Sequence, residues 1–147
     1  AKYFGNESLM AQNMLHVCMP KVFRLSEQYL IRAEARANQK NYSGASKDLS
    51  DLRRARFQGG NGSISVSAQN WLEIIEEERV RELYMEGFRL QDLKRWHKGF
   101  ERKPQEQSLT NGSSLKIEAD DVRFVWPIPK HELESPGSQI QPNESNK

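Results

Sequence analysis

Residues 78–96 read ERVRELYMEGFRLQDLKRW, and whether this stretch is one helix or two decides the fold. Taken as one helix turning 100° per residue from Arg79, Leu72, Leu83 and Leu90 fall within about 40° on one side. Ile75 and Leu93 fall about 40° on the other. Glu86 lies about 20° from Arg79, between the two sets. The charges therefore share the apolar stripe rather than oppose it. Arg79, Glu82, Glu86, Arg89, Asp92 and Arg95 follow one another at three or four residues, close enough for neighbours to pair.

Three readings of that face compete. A solvated or partner-facing surface would expose Leu72, Ile75, Leu83 and Leu90 with the charges. A catalytic carboxylate pair is allowed by geometry, because Glu82 and Glu86 are one turn apart. The interleaved arginines, however, would hold both acids ionised, the opposite of what a general acid needs. A buried ion-pair network of these six residues fits best. Charges taken out of water need partners and further hydrogen bonds, and the planar guanidinium pairs carboxylates through two bonds. The count beyond Gly87 holds only while the helix continues through it. On this reading the helix starts near Ala68 with Ser67 as N-cap, runs to about His97, and has Gly99 at its C-terminal cap.

Upstream, Tyr29, Ala33 and Ala37 recur every four residues beside Leu25 and Leu30, which predicts a helix over 24–39. Asn41-Tyr42-Ser43-Gly44 interrupts it, and Ala45, Leu49 and Leu52 mark a second helix over 43–56. The pair reads as an αα-hairpin whose alanines permit close approach. Its spacings are those of a tetratricopeptide repeat, and one repeat cannot bury its own face without neighbours. Gln58 to Ser63 is a flexible loop by composition, and Ile64 to Val66 a short extended piece. The expected class is mainly α: tetratricopeptide-like helical hairpins with a long irregular C-terminal tail. The chain reads as a single segment over 1–147. It has an irregular lead-in over 1–21, a helical scaffold over 22–99, and loops, a short extended piece and a surface tail over 100–147.

The 147 residues suit one domain or part of a larger one. A free-standing domain of that size buries roughly 68–70% of its unfolded surface. Hydrophobic residues make up only 36% and mean hydropathy is −0.84, so the core is thin or leans on more protein. The 22 basic and 20 acidic residues nearly balance, which implies no global attraction to nucleic acid or membrane. Arg53, Arg54 and Arg56 form a local cluster that could touch phosphate; a solvated helix end is the plainer reading.

Chemistry-bearing motifs are scarce. Cys18 is the single cysteine, so no internal disulfide is possible, and it reads as a small buried hydrophobe. His16, His97 and His131 lack metal-ligand spacing. Gly59-Gly60-Asn61-Gly62 lacks the lysine and the helix start of a phosphate loop. No catalytic residue, metal or cofactor is indicated, and no enzyme activity. Asn-x-Ser triplets at Asn6, Asn41, Asn61, Asn111 and Asn143 matter only in a glycosylating source. Of the tryptophans, Trp96 and Trp126 read as core and Trp71 as the least constrained candidate for a sugar contact. The N-terminal residues lack the basic start and apolar run of a signal peptide, and no stretch reaches membrane-span length.

Three stretches in order, FRLSEQYLIRAEA at 23–35, ERVRELYMEGFRLQDLKRW at 78–96 and FVWPIPKHEL at 124–133, resemble the C-terminal part of the SusD/RagB family. The resemblance implies a cell-surface, lipid-anchored outer-membrane protein that binds oligosaccharides or other nutrients without catalysis. It would deliver them to a TonB-dependent, SusC-like transporter. Membrane contact would come only through a lipid anchor that this chain lacks, and nucleic acid is not a partner. Arg79, Glu82, Glu86, Gly87, Arg89, Asp92, Arg95 and Trp96 then count as scaffold. Trp126, Pro127 and Pro129 belong to the third motif and are structural. Ligand-contact residues are not indicated. The final SPGSQIQPNESNK keeps only a loose echo of the family's Asn-Pro-rich closing segment. The alternative is a tetratricopeptide-like module that binds a protein or peptide.

Overall fold

A computed structural model describes residues 23–57, 59, 62–103 and 115–146. It is mainly helical. Its elements are α1 (Leu25–Asn38), α2 (Tyr42–Arg54), α3 (Trp71–Glu82), α4 (Arg89–Arg95), β1 (Phe100–Glu101), β2 (Lys116–Ile117) and α5 (Lys130–Leu133). Short 3-10 turns lie at Val122–Phe124 and Glu144–Asn146. The chain divides into two compact units, Ala1–Tyr84 and Met85–Lys147.

In the first unit α1 packs against both α2 and α3. Leu30, Ala33 and Ala37 meet Ala45, Leu49 and Leu52, with Val66, Ile75 and Leu83 completing a core of buried apolar side chains. The alanines recur once per turn on the facing sides, which is why the hairpin closes tightly. Leu25, expected beside this face, is instead 74% exposed. It begins the helix and has no preceding helical turn to lie against.

The turn between α1 and α2 is built by two successive caps. Lys40 takes a left-handed conformation, φ 61°. The amide of Asn41 then donates to the Arg36 carbonyl at 2.8 Å and that of Lys40 to Ala37 at 2.9 Å. This pairing closes α1 as a Schellman motif. Asn41 at once opens α2, its Oδ1 accepting from Gly44 N at 2.9 Å. A Cβ on Gly44 would meet the Asn41 side-chain atoms at 2.8 and 2.9 Å, so a larger residue there would make the capping amide shift. Left-handed geometry costs a non-glycine residue roughly 1–2 kcal/mol, partly offset by glycine's greater unfolded-chain entropy. Lys40→Gly is therefore expected to raise stability by up to about 1 kcal/mol, read as a higher melting temperature.

The extended piece 64–66 is held on α2 by serines one turn apart. Ile64 N donates to Ser50 Oγ at 3.0 Å and Val66 N to Ser46 Oγ at 2.9 Å. Four helical residues rise about 6 Å and two extended residues about 6.6 Å, so the two spacings match. Ser67 does start the next turn, its carbonyl accepting from Trp71 N at 3.1 Å, but regular helix begins only at Trp71.

The expected continuous helix to His97 is not formed. α3 ends at Glu82 and α4 begins at Arg89. Between them Met85 and Gly87 adopt positive φ, 60° and 84°, which breaks the i to i+4 ladder. The angular count from Arg79 therefore applies to α3 alone. Leu90, expected on the buried stripe, is 37% exposed.

The second unit buries Leu93 and Phe124. His97, not Gly99, closes α4. With φ 53° at His97, its amide reaches the Lys94 carbonyl at 3.2 Å and the Lys98 amide reaches Leu93 at 2.9 Å. Gly99 has a different duty: a Cβ there would collide with the Ile117 carbonyl across the ribbon. β1 and β2 pair antiparallel, Phe100 with Ile117 and Glu101 with Lys116.

Candidate functional site

Three buried carboxylates of the first unit, Glu82, Glu78 and Asp48, each collect arginines. Glu82, at the last turn of α3, receives Arg56 Nε and NH2 at 2.9 and 2.7 Å. Arg24 NH1 reaches the same carboxylate at 2.9 Å, while Arg24 NH2 takes the Glu82 carbonyl oxygen at 2.9 Å. One buried acid thus ties the end of α3 to the residue before α1 and to the chain just past α2. The Arg56 hydrogen bonds, with those of Ser26 and Arg24, outweigh desolvation and hold the Glu82 carboxyl down at about 2. Ser26 Oγ is buried beside this group with a geometry looser than a strict hydrogen bond.

One turn earlier, buried Glu78 receives Arg53 Nε at 2.8 Å and Arg81 NH1 at 3.4 Å. On α2, Asp48 is 1% exposed and accepts from Arg32 Nε and NH2 at 3.0 and 2.7 Å and from Arg36 NH1 at 2.7 Å. Arg32 in turn lies over the Tyr29 ring, 5.0 Å from its centroid. These carboxylates are acceptors whose oxygens are already taken by guanidinium groups. Glu82, held well below the usual carboxylate range, is ionised near neutral pH and has no proton to deliver there.

The six residues of the expected network fall in both units. Arg79 and Glu82 are buried on α3. Glu86 is half-buried in the break between α3 and α4, and Arg89 is exposed. Asp92 is buried and accepts from Arg95 Nε at 3.0 Å within its own turn. The basic cluster at the end of α2 is paired with carboxylates rather than freely solvated. Arg53 and Arg56 are engaged by Glu78 and Glu82, and Arg54 pairs with Asp51 at 3.1 Å.

Sequence reasoning missed Asp48, Arg24, Arg32 and Arg36. Asp48 was within reach: it sits three residues after Ala45 and four before Leu52, an acid inside an apolar stripe. The same criterion singled out Glu86. Arg24 carried no such signal.

The aromatic residues also sort differently. Trp126, expected in the core, is 82% exposed. It lies between the 3-10 turn at Val122–Phe124 and Pro127, where the chain runs along the surface and only Phe124 turns inward. Trp71 and Trp96 are half-buried, and the Arg95 guanidinium covers Trp96 at 4.3 Å from the ring centroid. Gly87 is, with Met85, one of the two left-handed residues of the helix break, and Pro129 precedes α5.

His97 Nδ1 meets Asp120 at 2.8 Å and His131 meets Glu132 at 3.3 Å, both exposed. Asp121 is held at about 2 by the side chain and backbone amide of Arg123. Among the described residues no group of three His, Cys, Asp or Glu could hold a metal, and no helix is long and apolar enough to cross a membrane. His16, Cys18, Asn6, Asn61 and Asn111 lie outside the described residues.

Compared with known proteins, residues 18–144 match the family model described as the SusD family. No curated protein and no solved structure matches the chain.

Proposed function

The chain belongs to the SusD/RagB family, and from that premise we propose that it serves non-catalytic nutrient capture at the outer-membrane surface. The nutrient is an oligosaccharide, passed to a TonB-dependent, SusC-like transporter, and the protein is lipid-anchored in its full-length form. The observation that carries this reading is the family match over residues 18–144. The charged face supports it, since Glu82 is held ionised by Arg56 and Arg24 and is suited to bracing helices rather than to acid catalysis. Trp126 is an exposed aromatic surface of the kind that a sugar ring or the transporter could meet.

The test is calorimetric titration of the full-length protein with a broad oligosaccharide panel, with product analysis by chromatography. Binding of at least one oligosaccharide without turnover is expected. Turnover of any panel member would contradict the non-catalytic reading. Failure to bind any would favour the alternative, a helical module that binds a protein or peptide through its hairpin.

A further inference from the structure

The backbone that carries Trp126 is held by side-chain amides from the end of the chain. Pro127 and Pro129 have no amide hydrogen. Between Val125 and Lys130 the backbone donors are therefore those of Trp126 and Ile128 alone. Ile128 is met on both of its polar groups by one side chain: its amide donates to Asn146 Oδ1 at 3.0 Å, and its carbonyl accepts from Asn146 Nδ2 at 2.8 Å. A primary amide offers a donor and an acceptor side by side, so Asn146 stands in for one residue of a neighbouring strand. Asn143 Nδ2 donates to the Trp126 carbonyl at 2.9 Å.

The turn that presents these amides is closed on itself. Asn146 N reaches the Asn143 carbonyl at 3.1 Å, and Asn143 N reaches Asn146 Oδ1 at 3.2 Å. Ser145 Oγ donates to Asn143 Oδ1 at 2.8 Å, which orients that amide toward Trp126. The 3-10 turn at Glu144–Asn146 buries no residue.

We infer that residues 143–146 are a clip that fixes the backbone of 126–128 and thereby sets where the exposed Trp126 indole is presented. The indole is too exposed for its own packing to fix it, so the position of its Cα does. A clip that buries no residue of its own can open without unfolding the rest of its unit. It is specific to asparagine. Aspartate would set a second oxygen against the Ile128 carbonyl, and alanine would leave both Ile128 groups to water.

Amide exchange and fluorine NMR on the whole chain labelled with 5-fluorotryptophan test this, with the Trp126 resonance identified through W126F. Two variants, N146A and N146D, guard against either one failing to fold. Both are expected to speed exchange at the Ile128 amide at least tenfold and to shift or narrow the Trp126 resonance. The amides of Phe124 and Arg102, bonded to Asp121 and Leu115 carbonyls, should keep their wild-type rates. Unchanged Ile128 exchange in both variants would overturn the inference. Equal acceleration at Phe124 and Arg102 would also overturn it, because Asn146 would then brace the whole unit rather than one segment.

Discussion

Asp48→Ala is expected to lower the unfolding free energy by about 2–4 kcal/mol. The carboxylate is 1% exposed and takes three hydrogen bonds from Arg32 and Arg36, one turn apart on the neighbouring helix. Removing it takes the shared carboxylate partner from two guanidinium groups at once. Both arginines retain contact with water, with side chains 53% and 32% exposed, so the cost stays below that of a fully buried stranded pair. Asp48→Asn keeps the volume but turns one acceptor into a donor aimed at a donor, and should cost more than about 1 kcal/mol. Urea denaturation of both variants measures this; a loss below about 0.5 kcal/mol for Asp48→Ala would show that the pair is idle.

Glu82→Gln should cost comparably near neutral pH, and its cost should depend on pH. The folded carboxyl is held near 2 by Arg56, Ser26 and Arg24, against 4.5 as the ordinary value. A depressed carboxylate contributes stability that is fully present above the unfolded value. That contribution is lost as pH falls through the folded one. A shift of that size corresponds to about 3 kcal/mol. Wild type should therefore exceed Glu82→Gln by about that amount at pH 6. The difference should shrink between pH 4.5 and pH 2 and be largely gone at pH 2. A difference independent of pH would mean that the lost stability is packing rather than charge.

The helical hairpin was legible because its signal is local. Ala33, Ala37 and Ala45 recur with the helical period, and Asn41 with Gly44 marks the turn, so both helices fall within two residues of expectation. The break after Glu82 was harder to read. The apolar period runs on through Met85 and Gly87, and only their positive φ ends the helix. Glycine is a weak breaker, and nothing in the pattern marks methionine as left-handed. The cap at His97 rather than Gly99 is a slip of two residues, the usual scale of uncertainty at helix ends.

Partner choice among the charges was not legible at all. A count of 100° per residue sees only neighbours on one helix, whereas Glu82 draws its arginines from 58 and 26 residues away. The helical period does put Glu82 beside the apolar stripe, and the fold supplies its cations. Trp126 failed for a related reason. Its place in the third motif suggests a core position, but burial depends on what lies opposite, and its sequence does not say.

The central claim is that the conspicuous charges act as braces between helices and not as chemistry. A double-mutant cycle on Glu82 and Arg56 tests it most directly, using Glu82→Gln, Arg56→Met and the pair, with unfolding free energies at pH 6. Arg56 donates two of the hydrogen bonds on that carboxylate, so a coupling energy of about 1–3 kcal/mol is expected. A coupling within about 0.3 kcal/mol of zero would contradict the account, because Glu82 and Arg56 would then be neighbours without being partners.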